Sequence, residues 1–480
     1  MLRRIPRPLG LLLVVAALLS LAWTFATTPF EGPDESAHFN YTQYLAETGH
    51  RPMVTGGLHP DSTQVGTVLT FLNLTQLATD VNARPAWSQH EMRKLERVLD
   101  TFGEKGEEDG SGPNPLAKNP PLYYAYETIP YRIGSLGSFW DRLLLMRLAS
   151  GLLFLIAVLC TWFAAAELFR ATWPRLIATG CVAMLPQLTF ISGTVQADNM
   201  LVAVWSAFAL AGLRLLRRGP SIGRVTAVCG LAGLSALTHG RGTAIIFPLA
   251  VVLLVAFARA RLPWRETARW LGAGAVLLVA AAVLYKTLLT PTGGGAYGGE
   301  VNLSAPGFSV KQLITDTWQF YFPKLPFMDL RVGPSYGYRQ VFVESFFGRF
   351  GALDVNYTRD IYDLIQDAAA IGLVGLVVAI VTRWQAIRAR WPQVTLLVAM
   401  TVAMLALLHV ASYRALRTGA DPLITGRYLL PLVSVFGLTV AFVISSLRPR
   451  LAAAAGTLVL GGILALNLGG IMLTLTRFYG

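Results

Sequence analysis

Charge is scarce in this chain: Asp, Glu, Lys and Arg make up 14% of its 480 residues, where soluble domains carry about 25%. Hydrophobic residues reach 54% and the mean hydropathy is +0.51, which excludes a soluble globular protein and implies one that meets lipid over much of its surface. Cysteine is rarer still. The three present, Cys160, Cys181 and Cys229, all lie in apolar runs, so a disulfide framework and a paired-cysteine metal centre are both excluded and each reads as a small buried hydrophobe. Acid is short relative to base, 27 residues against 40, for a net charge of +13. The basic residues form short clusters between apolar runs instead of lining one face, which excludes nucleic acid as a partner and points to membrane lipids. No internal repeat or heptad pattern is present.

Apolar runs of membrane-spanning length, roughly 17–25 residues, are plentiful. They predict an all-α polytopic membrane protein with about eleven transmembrane helices, near 9–28, 143–168, 176–195, 200–216, 225–238, 243–258, 270–289, 364–381, 394–413, 428–447 and 451–475. The fifth and sixth are short, and the junction THGRG, 238–242, turns the chain round at one face. Arg3, Arg4 and Arg7 precede the first run, and the connections holding Arg170 and Arg175, Arg214 to Arg224, Arg259 to Arg269, Arg383 to Arg390, and Arg448 with Arg450 fall on that same side. That side is expected to be cytoplasmic. The first run lacks a small-residue cleavage site and is expected to stay as a signal anchor.

Two long connections, 29–140 and 291–363, lie on the opposite side of what reads as one domain over 1–480. The first holds 14 of the 27 acidic residues against eight Lys or Arg, while the cytoplasmic connections are short and basic. This distribution predicts an extracytoplasmic site in a plasma (inner) membrane protein. Within it, GEEDGSGPNP, 106–115, reads as a solvated excursion.

EGPDESAHF, 31–39, stands a few residues after the first apolar run, where carboxylates are costly unless used or solvated. Pro33 suits a helix start and Gly49 a stop, and the spacing predicts a juxtamembrane helix with Asp34, His38 and Tyr41 on one face. A carboxylate at a helix N-terminus is favoured in its ionised form, which suits a base or a metal ligand. Other polar groups fall on the same side. KNPPLYY, 118–124, closes the first loop with Lys118, Tyr123 and Tyr124; QADNM, 196–200, carries Asp198; the next outer turn has His239 and Arg241; FFGRFG, 346–351, has Arg349; and GRYLLP, 426–431, has Arg427 and Tyr428. Two acidic sites among several cations suit a reaction in which a base activates a hydroxyl and cations hold a phosphate leaving group.

In order and sidedness these elements resemble the GT-C superfamily of membrane glycosyltransferases, and PDESAHF, KNPPLYY, QADNM, SFFGRFG and TGRYLLP more narrowly resemble the family catalogued as domain of unknown function 2142. The resemblance runs from Pro33 to Pro431. It implies transfer of a sugar, with inversion, from a polyprenyl-phosphate donor in the outer leaflet to a cell-envelope glycan, lipid or protein acceptor. It further implies Asp34 as the base, Glu35 as its support or a metal ligand, and Asp198 as the second acid. Lys118, Arg241, Arg427 and Arg349 are then candidates for the donor phosphate, with the two arginines 241 and 427 stronger because Asn119 directly precedes the prolines where similar enzymes often carry Lys or His. His38, Tyr123, Tyr124, His239 and Tyr428 are candidates for substrate contacts. A divalent metal ion is the one cofactor left open, with Glu35 and Asp198 as its ligands.

Plainer roles fit the same residues: Asp34 and Asp198 as helix caps, Lys118 as a solvated charge, Tyr123 and Tyr124 as interfacial aromatics, Arg349 as a prop for its own loop, Arg427 as a boundary marker, and both histidines as structural groups. A transporter or flippase of a lipid-linked sugar is the alternative function. It calls for ionisable groups in mid-span, whereas most here cluster at the outer ends of the runs.

Overall fold

The protein is described from a computed structural model covering residues 6–80, 82–83, 88–102, 108–260, 262–289, 308–331, 337, 339–417 and 424–480. Much of the second long connection therefore lies outside the described residues. The chain begins with α1 (Arg7–Ala26), an apolar run opened by proline. The first connection then folds as α2 (Glu35–Thr48), α3 (Thr63–Phe71), α4 (Leu74–Thr79), α5 (Gln89–Leu99) and α6 (Leu122–Gly134). There follow α7 (Phe139–Leu168), α8 (Thr172–Ala183), α9 (Pro186–Ser192), α10 (Ala197–Arg218), α11 (Ile222–Thr238), α12 (Ile246–Ala260) and α13 (Trp264–Leu289). The second connection contributes α14 (Val310–Tyr321), α15 (Ser345–Phe347) and a small antiparallel pair, β1 (Arg349–Phe350) with β2 (Val355–Asn356). The chain ends with α16 (Arg359–Thr382), α17 (Trp384–Ala389), α18 (Trp391–Arg417), α19 (Val433–Ser446) and α20 (Pro449–Tyr479).

Among the described residues, 9 helices are long and apolar enough to cross a membrane: α1, α7, α10, α13, α16, α18, α20, and α12 and α19 each with the 3-10 turn before it. The fold is thus an all-α polytopic membrane protein. Two expected spans differ from plain helices. The run 176–195 is broken into α8 and α9, bent by 57°, because Pro186 opens α9 and cannot donate a main-chain hydrogen bond back into α8. The main-chain carbonyl of Met184, left at that break, accepts from Asn467 Nδ2 on α20 at 2.9 Å, and Asn467 Oδ1 accepts from Trp23 Nε1 on α1 at 3.0 Å. The run 225–238 is α11, of 17 residues, too short to be counted with the full-length spans.

The break brings α9 against α1. Gly193, just past α9, lies so close that a Cβ there would sit 2.7 Å from the main-chain nitrogen of Thr24. The β1–β2 hairpin completes this wall by wedging Phe350, fully buried, against Trp23 at 4.7 Å and Phe190 at 5.5 Å between ring centres. At the far end of α20, Arg477 holds Asp354 at 3.0 Å and the carbonyl of Leu77 at 2.7 Å, tying the hairpin turn to the first connection.

Candidate active site

The segment between α1 and α2 is held in an unusual shape. Phe30 and Asp34 both have positive φ, 64° and 57°, a conformation that costs a non-glycine residue roughly 1–3 kcal/mol and survives only where its surroundings enforce it. Glu35 supplies much of the enforcement. Fully buried, its carboxylate accepts from Arg147 Nε at 2.8 Å and Nη2 at 2.6 Å, from the Val195 N–H at 3.0 Å and from the Phe30 N–H at 3.1 Å. Arg147, itself buried in α7, spends its other donors on the carbonyls of Thr24, Thr27 and Thr28 at 2.8–3.0 Å. The amide of Gln196 adds a hydrogen bond to the carbonyl of Pro33. QADNM and PDESAHF are therefore bolted together through Glu35, and the bolt leaves Asp34 facing outward, its side chain 57% exposed and making no cap bond to α2.

Around Asp34 lies a compact ionic cluster. Arg427, at the start of the 3-10 turn Gly426–Leu432, brings Nη2 to 3.6 Å from Asp34 Oδ2 and Nε to 3.9 Å from Asp198 Oδ2. Asp198, in the first turn of α10, accepts through Oδ1 from Arg241 Nη2. The Arg241 guanidinium lies 3.9 Å above the Tyr428 ring, and that of Arg427 lies 5.5 Å from the same ring. Two polar atoms in the cluster are buried and without partners: Nη1 of Arg241 and Nη1 of Arg427. Such orphans are rare in folded proteins. Here two occur on neighbouring cations beside an accessible carboxylate, an arrangement that can hold a phosphate by fork-like hydrogen bonds while a base works next to it.

Residues 17–436 match the family described as predicted membrane protein (DUF2142). The chain belongs to this family. Similar solved structures include ArnT from Cupriavidus metallidurans bound to undecaprenyl phosphate, at 15% identity and TM-score 0.46 over 93% of this chain and 62% of that one. The oligosaccharyltransferase AglB from Archaeoglobus fulgidus, in complex with an inhibitory peptide and a dolichol-phosphate, is similar at 14% identity and TM-score 0.45 over 98% and 56%. The chain thus spans less than two thirds of the length of either. A comparison of the sequence with curated proteins finds no match.

In this DUF2142 protein, His38 sits behind Asp34, buried, with Nδ1 3.1 Å from the Tyr124 hydroxyl and its ring stacked on that tyrosine. Burial lowers its pKa to about 4 against the pull of Asp34 and Asp198, so the imidazole is neutral at pH 7. Tyr124 in turn stacks on Tyr41 and accepts from the Asn119 amide at 3.2 Å. Tyr123 shares a hydrogen bond with Ser150 at 2.8 Å, and Ser150 donates to Glu127, whose carboxyl burial pushes well above its usual range. Both tyrosines are fully buried, which removes the reading of them as interfacial aromatics. His239, held neutral chiefly by burial, accepts through Nδ1 from the Arg241 N–H at 3.1 Å and fixes the turn that carries it.

Two of the phosphate candidates stand apart from the cluster. Lys118 is exposed at the end of the 3-10 turn Pro115–Lys118 with no hydrogen bond or ion pair to any described residue. Arg349 donates to Asn356 at 3.0 Å and its main-chain N–H to Gln187 at 2.7 Å, a prop for the hairpin that seats Phe350. A divalent ion held by Glu35 and Asp198 does not fit the donor set. All four Glu35 bonds are taken and Asp198 lies between two guanidinium groups, so a cation would have to displace arginine. Arg147 is the residue that sequence reasoning missed. Its signal was present as the lone cation of the run 143–168, whose one other charge, Glu167, stands at the opposite end.

Proposed function

We propose that the protein is a GT-C-type glycosyltransferase that takes a sugar from a polyprenyl-phosphate donor at the extracytoplasmic face of the plasma membrane. The observation that carries this reading is the pair of buried, unpartnered arginine Nη1 groups flanking the accessible carboxylate of Asp34. In the proposed step Asp34 accepts the proton of an acceptor hydroxyl as that oxygen bonds to the anomeric carbon. The bond from that carbon to the phosphate oxygen breaks, and polyprenyl phosphate leaves with its new charge against Arg241 and Arg427. Attack opposite the leaving group inverts the anomeric centre. Asp198 keeps the two guanidinium groups apart and aligned, and Glu35 acts through Asp34 by fixing its backbone. The outward siting of the reaction rests on the alternation of arginine between the spans.

The test follows release of polyprenyl phosphate from radiolabelled polyprenyl-phosphate monosaccharides by protein in nanodiscs. Asp34→Asn should reduce release by roughly 10²–10⁴-fold with donor binding kept. Arg427→Lys, which keeps charge but loses the planar fork, should weaken donor binding, and Arg427→Ala should weaken it further. Arg388→Ala, an exposed position distant in the fold, serves as the control. Movement of intact donor between leaflets with no release at all would replace the transferase by the flippase. Near-normal turnover in Asp34→Asn would remove the proposed base.

A further inference from the structure

Away from the ionic cluster, a cleft opens in the first connection, between residues 59–63, one side of α3 and Asp109. Its volume is about 550 Å³, within the roughly 300–1,000 Å³ of small-molecule sites. Four features set it apart from a groove that water merely fills. Asp109 accepts through Oδ1 from the N–H and hydroxyl of Thr63 at 2.7 and 2.8 Å, while its Oδ2 is buried without a partner. Asp61, half-buried in the wall, makes no hydrogen bond or ion pair with any described residue, and burial raises its carboxyl above the usual range. Phe71 supplies a half-buried aromatic ring at one end. The fourth feature is Gly66. It sits inside the 9-residue α3, where glycine weakens a helix relative to alanine. A Cβ there would meet no atom within 4 Å, so the packing of the fold does not require glycine at this position. The space above it is the cleft.

The chemistry of the lining selects its ligand. The hydroxyls of Thr67 and Thr70 donate to carbonyls one turn back, at 2.7 and 2.8 Å, and offer the cleft only their lone pairs. With two carboxylates, one exposed histidine, His59, and, among the described residues, no lysine or arginine in its wall, the cleft is rich in acceptors and disfavours phosphate. It suits a ligand that presents many hydroxyl or amine donors along its edges and a C–H face to an aromatic ring and a bare glycine floor. We propose that this cleft binds a neutral or amino-sugar glycan and holds it as the acceptor chain. The acceptor role rests on the transferase reading above; the binding does not.

The floor of the cleft is rigidly joined to the helix that begins at Asp34. Asn40 of α2 accepts from the Ser62 N–H at 2.7 Å and donates to the Pro60 carbonyl at 2.8 Å, and Gln43 accepts from the Ser62 hydroxyl at 2.7 Å. At about 1.5 Å of rise per residue, Asn40 stands roughly 9 Å along the axis from Asp34, a separation a short oligosaccharide spans.

The experiment measures retention of the full-length protein, in nanodiscs, on a panel of neutral, amino-sugar and acidic trisaccharides. At least one neutral or amino-sugar trisaccharide should be retained and the acidic ones rejected. Gly66→Trp, which projects into open space, should abolish retention, and Gly66→Ala should leave it intact. Asp61→Asn and Asp109→Asn should each weaken it tenfold or more. Asp34→Asn should bind the glycan like the parent while losing transfer. If Asp34→Asn binds and still transfers, the base assignment falls and the glycan site stands; if the parent retains the glycan but releases no polyprenyl phosphate from the donor, the transferase reading falls and the glycan site stands. Failure to retain any neutral or amino-sugar trisaccharide, retention that survives Gly66→Trp, or loss of calcium binding in Asp61→Asn with retention unchanged would each overturn the proposal, the last in favour of a cation site.

Discussion

Asp34 and Glu35 are neighbours with opposite duties, and single substitutions should separate them. Glu35 is saturated by four donors in a dry setting. Glu35→Gln leaves Arg147 buried without its counter-charge, which costs about 3–5 kcal/mol, so the variant should melt earlier and insert poorly. Asp34 makes no cap bond and sits at a φ that glycine adopts freely. Asp34→Gly should therefore abolish transfer while raising the thermal midpoint, by relief of about 1 kcal/mol of strain. A drop in midpoint for Asp34→Gly as large as that for Glu35→Gln would mean the two carboxylates share one structural task. The sequence made Asp34, Asp198, Arg241 and Arg427 visible because each sits where an apolar run meets a loop, a purely local signal. It could not separate the duties of positions 34 and 35, since that depends on Arg147, 112 residues further on.

At the scale of elements, the segment joining α1 to α2 is also tied to the β1–β2 turn. Glu31 is buried there with Oε2 unpartnered, near Asp354, one of whose oxygens is likewise unpartnered. Burial first, and the Asp354 charge second, raise its pKa to about 7 from 4.5. A carboxyl raised in the folded state favours folding most when protonated. Its contribution is complete below about pH 4.5 and is lost as pH rises through about 7, a difference of about 3 kcal/mol. The parent should thus melt lower at pH 8 than at pH 5.5, and Glu31→Gln, fixed in the protonated shape, should flatten that difference. Equal pH dependence in both proteins would show that another group is responsible. The start and stop of α2 were legible from Pro33 and Gly49. The α8–α9 break was not, although Pro186 is plain in the sequence, because an unbroken apolar run reads as one span until Asn467 is seen to serve the freed carbonyl.

For the whole molecule, the side of the membrane decides whether the cluster can meet an outer-leaflet donor. Cysteines at His90 in α5 and Gly223 in α11 occupy exposed positions with ordinary backbone geometry, and the native cysteines lie within the helices α7, α8 and α11. An impermeant thiol reagent applied to intact cells should label the first and spare the second; the reverse pattern would turn the protein over and take the active site with it. Class and general architecture were legible from composition and run length, because lipid imposes them on every residue of a span. The assembly of the site was not, because its partners come from both ends of the chain. The contact of Arg427 with Asp34 joins residues nearly four hundred positions apart. At about 5–20 residues per second of synthesis, Asp34 waits on the order of a minute for its arginine. Asp198 reaches Arg241 after only 43 residues. The inner ion pair can therefore form while the ribosome is still at work and shelter the buried carboxylate of α10, whereas the outer pair of Arg427 with Asp34 closes last, so a nascent chain carries an anchored but incomplete cluster until Arg427 arrives.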